Sequence, residues 1–212
     1  MKKLDIVYED KYLLVVNKKA NYLTLSTDKN KYNNLYREVS AYVKKSYPKN
    51  KVFIINRLDK DVSGLVLFAK SYSVKTAIQN EWDNVKRTYL ALVEGYVEKD
   101  KEDIKLYLKE DNNYNIYVDK DGKKAITKYE VIHRFQNKTL VKIFLVTGRK
   151  HQIRVSLKEI GHPIVGDKRY GAKTNPYRRV MLHSASVGFK HPINGNLITL
   201  DADIPKSFIP KE

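Results

Sequence analysis

Asp59 stands between two cations in the stretch Asn56-Arg57-Leu58-Asp59-Lys60-Asp61-Val62-Ser63-Gly64, directly ahead of the apolar run Leu65-Val66-Leu67-Phe68-Ala69. An apolar run of that length, bounded by a Ser-Gly turn, reads as a buried strand. A carboxylate at the lip of such a strand, with Arg57 beside it, is placed for chemistry on something anionic. An aspartate before a Ser-Gly pair can equally do no more than cap a turn, and the Arg-x-Asp triplet alone favours that plainer role. A second block is Thr147-Gly148-Arg149-Lys150-His151-Gln152-Ile153-Arg154. There a strand ends and a helix begins, so unpaired backbone N–H groups together with Arg149 and Lys150 make an anion site suited to phosphate. Arg154, one turn in, is spaced to face a buried acid, and Asp59 lacks any other evident interior partner.

Composition says which partners to expect. The chain has 212 residues, with 41 Lys and Arg against 24 Asp and Glu, a net charge of +17. That length suits one large domain or two small lobes, and residues 1–212 are taken as one catalytic domain. A charge this large favours a polyanion. The cations are spread along the chain, so nucleic acid is expected across a folded surface, not on a basic tail. Membrane is not expected: no apolar run reaches the ~18 residues of a spanning helix. The opening Met1-Lys2-Lys3-Leu4-Asp5 lacks the apolar core of a signal peptide. Absence of cysteine excludes disulfides, Cys-ligated zinc and thiol catalysis. A cytoplasmic location is expected.

The elements that must position these residues alternate between short strands and few helices. Residues 6–17 read as two strands around the Glu9-Asp10 turn, followed by a polar loop to about residue 34. Residues 35–45 have helical spacing, with Leu35, Val39 and either Tyr42 or Val43 on one face. Residues 71–84 read as a helix capped by Ser71 or Ser73. Residues 87–94 read as a strand ended by Gly95. Residues 96–124 are the least patterned, apart from a hairpin signal at Asp121-Gly122. Residues 125–135 and 139–146 read as a strand pair. Residues 151–160 read as a helix with Ile153, Leu157 and Ile160 inward and Gly161 at its end. A late hairpin turns at Asn194-Gly195. Residues 161–171 carry three glycines, which imply tight turns, and no P-loop ending. The class is α+β, built on a mostly antiparallel sheet.

Taken together, these blocks resemble the RluA-type pseudouridine synthases, which convert uridine in structured RNA into its C-glycosidic isomer. The resemblance rests on Arg57-Leu58-Asp59 and on the segment from Thr147-Gly148-Arg149 to Gly166-Asp167 and Tyr170-Gly171. It extends to the opening Glu9-Asp10 turn, Arg87-Thr88-Tyr89, Leu182-His183, His191-Pro192 and Asn194-Gly195. It implies a central mixed, largely antiparallel sheet in two abutting lobes with a few helices. It implies that Asp59 is the catalytic aspartate, that Tyr89 packs on the target uracil and that Arg154 pairs with Asp59. Arg57 would fill the space left by the flipped base, and Ile153 would line the pocket. Four positions depart from the family pattern: Asn56 for histidine, Val62 for threonine, Ser156 for histidine and Lys19 for proline. The family's frequent N-terminal S4-like RNA-binding domain is not expected, since the catalytic pattern begins within about ten residues of the start.

The implied reaction breaks N1–C1′, turns the uracil and joins C5 to C1′, with no net change in atoms, so neither cofactor nor metal is expected. Flipping the uridine out costs a few kcal/mol, and stacking on Tyr89 would return about 1–3 kcal/mol. Asp59 must act ionised, and Arg154 nearby would favour that form. Whether it attacks C1′ or takes the 2′-proton is open at this stage. A glycosidase would need a second carboxylate with a raised pKa. Asp61 and Asp167 are the candidates, each in a basic, polar context that disfavours hydrolysis. The alternative is a non-catalytic RNA-binding module on the same scaffold. The expected partner is a stem-loop of ribosomal or transfer RNA, acted on by a monomer with no obligate protein partner.

Overall fold

A computed structural model describes residues 4–26 and 33–209. The far part of the expected polar loop, residues 27–32, lies outside them. The chain divides into two compact units: Met1–Lys86 with Ser184–Asp203, and Arg87–His183 with Ile204–Glu212. Within the described residues the fold is α+β, as expected, and eight of its strand pairs are antiparallel.

In the first unit β1 (Ile6–Glu9) and β2 (Leu13–Lys18) flank the Asp10 turn. β3 (Phe53–Ile54) leads to β4 (Ser63–Ala69). Helix α1 (Leu35–Lys44) and α2 (Tyr72–Asn80) carry the helical segments. Every residue of β4 is buried, as a strand covered on both faces must be. One face packs Leu65, Leu67 and Ala69 against Leu13 and Val15 of β2 and Val74 and Ile78 of α2. Helix α1 buries Leu35, Val39 and Val43. Tyr42 is only half-buried and gives its hydroxyl to Glu9, so Val43 completes the apolar face. Ser71 caps α2 by accepting the Val74 N–H at 3.3 Å. The Asp10 turn is tied by one carboxylate: Oδ1 accepts from the Tyr12 and Leu13 N–H groups, and Oδ2 from the Tyr8 hydroxyl. His191 also meets Oδ2, at 2.9 Å, joining the first and last motifs of the sequence.

One local expectation is corrected. The turn ahead of β4 is at Lys60-Asp61, closed by the Val62 N–H on the Asp59 carbonyl at 3.2 Å, and Ser63-Gly64 already belongs to the strand. Gly64 is needed there for a different reason. Its φ is +115°, and a Cβ would come within 2.2 Å of the Ser184 carbonyl oxygen.

In the second unit the strand order is β5 (Lys86–Glu94), β9 (Lys138–Leu145), β8 (Lys123–Phe135), β6 (Lys101–Glu110), β7 (Ile116–Val118). The segment 96–124, unpatterned by eye, is thus mostly strand. Its alternation is present in Ile104, Leu106 and Leu108, of which Ile104 and Leu108 are buried, but exposed Lys101, Asp103, Lys105, Tyr107 and Lys109 fill the other face. β10 (Leu182–Lys190) passes from the second unit to the first and turns at Gly195 into β11 (Leu197–Asp201).

Two outcomes test this packing. Gly64→Ala should destabilise the fold by about 3 kcal/mol or more, read by urea unfolding, because strain and overlap with backbone add. His183 is fully buried, and burial, followed by the Arg179 charge, holds its imidazole down at about 4. The folded state therefore resists protonation. Stability present above the unfolded value of about 6.5 should be lost as pH falls from there through 4, by about 3 kcal/mol. Unfolding curves of wild type and His183→Gln across that window should diverge accordingly, and a constant difference would refute the assignment.

Candidate active site

The Asp59 turn is built by backbone ties to two neighbouring segments of the first unit. Ile55 continues the β3–β4 ladder by donating its N–H to Leu67 O at 2.9 Å. Asn56 then replaces backbone with side chain: its Oδ1 accepts the Leu67 N–H at 2.8 Å and its Nδ2 donates to Leu65 O at 3.3 Å. Leu58 is buried, and the Thr24 hydroxyl both donates to its carbonyl at 2.6 Å and accepts its N–H at 3.3 Å. Past Asp59, the Lys60 carbonyl accepts the Tyr22 N–H at 3.0 Å. It also accepts from the Lys18 ammonium at 3.1 Å, which reaches Tyr22 O at 2.7 Å and Lys19 O at 3.0 Å. Lys18 is 1 % exposed. Asp59 is held half-buried on this turn, with Arg57 exposed beside it.

Lys18 and Thr24 went unnoticed in the sequence. The signal for Lys18 was parity: on β2 it shares a face with Leu14 and Val16, both buried, so the alternation points its stem inward. An ammonium there is tolerable because its protons meet carbonyl oxygens.

In the second unit, strand register fixes which face Tyr89 occupies. Tyr89 pairs with Ile143 of β9, and Ile143 with Tyr129 of β8. Thr127 shares that face of β8, and its hydroxyl meets Ser156 of helix α3 (Gln152–Glu159) at 3.1 Å. Tyr89 therefore stands on the sheet face that carries α3, the helix of Ile153 and Arg154. Gln152 clamps the strand-to-helix turn. Its Oε1 accepts from the Thr147 hydroxyl and the Arg149 N–H, and its Nε2 donates to Ile126 O and Thr127 Oγ1.

Six consecutive residues of α3, Gln152 through Leu157, are buried. This exceeds the one-sided face expected, and Ile160 is only half-buried. The Arg154 guanidinium is gripped by Asp167 through two 2.7 Å hydrogen bonds, Nε to Oδ2 and Nη2 to Oδ1, with side-chain exposures of 6 % and 1 %. Tyr170 lies under the guanidinium at 5.0 Å, and its hydroxyl meets His151 Nδ1 at 2.6 Å. The sequence places Asp167 in a strongly basic, polar context. It is instead a buried acid facing Arg154 within its own unit, which accounts for part of the spacing argument that pointed to Asp59. Both carboxylate oxygens of Asp167 are taken up by Arg154, so neither is free to serve as the second carboxylate of a glycosidase.

Arg149 and Lys150 are exposed at the start of α3. Arg149 Nε donates to Lys124 O at 3.1 Å, and Lys150 is ion-paired with Glu110 and lies over the Tyr114 ring at 5.1 Å.

Similarity to known proteins agrees with these motifs. A match to the family described as RNA pseudouridylate synthase covers residues 12–159. That span includes Asp59, Tyr89 and Arg154. The chain belongs to the RNA pseudouridylate synthase family. It is 36% identical to the uncharacterized RNA pseudouridine synthase YlyB of Bacillus subtilis over 96% of this chain and 70% of that protein. It is 32% identical to the ribosomal large subunit pseudouridine synthase C of Buchnera aphidicola over 96% of this chain and 68% of that protein. The human RNA pseudouridylate synthase domain containing 4 shares the fold, with a TM-score of 0.80 at 19% identity over 96% of this chain and 90% of that one. The activity is that of an RNA pseudouridine synthase, an isomerase, and its substrate class is RNA.

Three of the departures from the family pattern acquire local reasons. Asn56 supplies both a donor and an acceptor to β4. Val62 is buried. Ser156 bonds Thr127; the structure gives no reason for Lys19, whose backbone carbonyl, not its side chain, receives the Lys18 ammonium.

Asp167→Asn should cost about 3–5 kcal/mol, because it leaves the Arg154 charge buried without its partner. The double replacement Arg154→Met with Asp167→Leu should be less destabilising than Asp167→Asn. Thermal or urea unfolding of both variants reads the difference, and an Asp167→Asn variant as stable as wild type would refute the grip.

Proposed function

We propose that this pseudouridine synthase modifies one or a few uridines in ribosomal RNA of the large subunit, with Asp59 as the catalytic carboxylate. The observation that carries this reading is the Asp59 turn itself: a half-buried carboxylate on a backbone fixed at both sides, inside the span that matches the family. Two of its relatives, from Buchnera aphidicola and Haemophilus ducreyi, are named as ribosomal large subunit pseudouridine synthases, which supports the choice of ribosomal over transfer RNA.

The roles follow from the reaction. The target uridine leaves its stack, at a cost of a few kcal/mol. Arg57, exposed and beside Asp59 in sequence, takes its place, and Tyr89 stacks on the freed uracil. Asp59 acts on the sugar, by attack at C1′ or removal of the 2′-proton, as N1–C1′ breaks. The uracil turns and C5 bonds to C1′ as the Asp59–C1′ bond breaks or the 2′-proton returns to C2′; the C5 proton then leaves and N1 gains one, so atoms and charge balance. Arg154, preset by Asp167, supports the Asp59 carboxylate. Ile153 lines the base pocket, and Arg149 and Lys150 hold backbone phosphates at the start of α3. The two units serve one catalytic domain, acting as a cytoplasmic monomer on a local stem-loop without an obligate protein partner.

Carbodiimide-dependent reverse-transcription stops in RNA from cells with and without the gene test this reading. Loss of discrete large-subunit sites, restored by wild type and not by Asp59→Asn, is the expected result. Stops confined to transfer RNA would overturn the substrate. Restoration by Asp59→Asn would overturn the assignment of the carboxylate. Tyr89→Ala should weaken productive binding by about 1–3 kcal/mol, read as a higher KM with wild-type substrate.

A further inference from the structure

A cleft of about 400 Å³ opens in the first unit between the β1–β2 turn and the C-terminal end of α1, and is lined by Lys11, Lys45, Lys51, Lys70, Glu9 and Tyr42. The lysines there outnumber the single carboxylate. Glu9 is already committed, accepting from Lys70 and from the Tyr42 hydroxyl, each at 2.8 Å. Burial opposes its ionisation, but these two donors prevail and hold its carboxyl below the usual range. Lys70 is fixed further by the Asp10 carbonyl at 2.6 Å. Lys11, Lys45 and Lys51 are exposed and form no ion pair with a described residue.

The end of a helix carries partial negative charge that would repel an anion. Here much of it is quenched. The Val43 carbonyl accepts from Ser46 Oγ at 2.9 Å and Asn50 Nδ2 at 3.0 Å, and the Tyr42 carbonyl from the Lys45 N–H at 3.1 Å. What remains at the cleft is a group of ammonium charges on flexible stems, which suits phosphate as a target for point charges.

Its place in the fold sets its meaning. Lys70 follows β4, whereas Asp59 precedes it, and β2 runs antiparallel alongside, from Leu13 opposite Ala69 to Lys18 opposite Gly64. The cleft and the Asp59 turn are thus at opposite ends of the same strands, on the order of 20 Å apart at 3.3 Å per residue. We propose that this cleft is a phosphate-binding site for the RNA backbone, remote from the reacting uridine, so that the bound RNA extends well beyond the target stem-loop. The proposal rests on the RNA-modifying reading for its choice of polyanion.

Lysine acetylation footprinting with mass spectrometry tests it on the full chain, with a long mixed-sequence RNA hairpin, a short stem-loop or inorganic phosphate as probe. Long RNA should protect Lys11, Lys45 and Lys51, and the short stem-loop should not. The variant Lys11→Gln, Lys45→Gln, Lys51→Gln, checked for an unchanged melting profile, should lose about two to three units from the slope of log binding constant against log salt for the long hairpin. Equal acetylation with and without long RNA, or an unchanged slope, would overturn the proposal. Protection by inorganic phosphate without protection by RNA would overturn it in favour of a small-anion site. These readouts require no isomerase activity, so they stand or fall separately from the assignment of Asp59.

Discussion

The buried ammonium of Lys18 is the interaction on which the first unit's contribution depends. One side chain at the end of β2 reaches three carbonyls, of Lys19, Tyr22 and Lys60, and so ties together two loops that no continuous strand joins. Bringing an ammonium out of water is costly unless its protons are satisfied. Once they are, the same energetics penalise any loop movement that breaks a contact. Thr24 repeats the device one residue ahead of Asp59 by holding both polar backbone groups of Leu58. Preorganisation of a carboxylate by fixed backbone is what electrostatic catalysis needs, because little reorganisation is then left for the moment of reaction.

The second unit solves a parallel problem with a short helix. Eight residues give α3 little stability of its own, and its start at His151 has a left-handed backbone and no side-chain cap. Packing and polar ties to the sheet supply the stability: Gln152 bonds four separate groups, and Ser156 meets Thr127. The segment after the helix then wraps Arg154 with Asp167 and Tyr170. A buried ion pair of this kind adds little net stability, because desolvation offsets much of the attraction between its charges.

Much of this was legible in the sequence where a local rule and burial agree. The all-apolar stretch 65–69 and the Asn194-Gly195 hairpin could be read directly, the α2 cap was narrowed to Ser71 or Ser73, and the roles of Asp59, Tyr89 and Arg154 came only from the family resemblance. Gly64 could be noticed but not explained, since its role is set by Ser184, over a hundred residues away in the chain. Strand β6 was hidden because Lys and Asp on its exposed face masked the alternation of Ile104, Leu106 and Leu108. Asp167 illustrates a different limit. Its basic neighbours Lys168 and Arg169 give it a polar context in sequence, but fold topology turns the carboxylate inward to Arg154 while those neighbours remain exposed. A partner chosen across the chain by tertiary packing leaves no periodic trace.

The most direct measurement uses purified protein and RNA carrying tritium at uridine C5. Forming the C5–C1′ bond must expel that hydrogen, whereas hydrolysis of N1–C1′ would release intact labelled uracil. The account predicts tritium in water with wild-type protein, none with Asp59→Asn at equal RNA occupancy, and no free uracil from either. Labelled free uracil, or tritium release undiminished in Asp59→Asn, would contradict it.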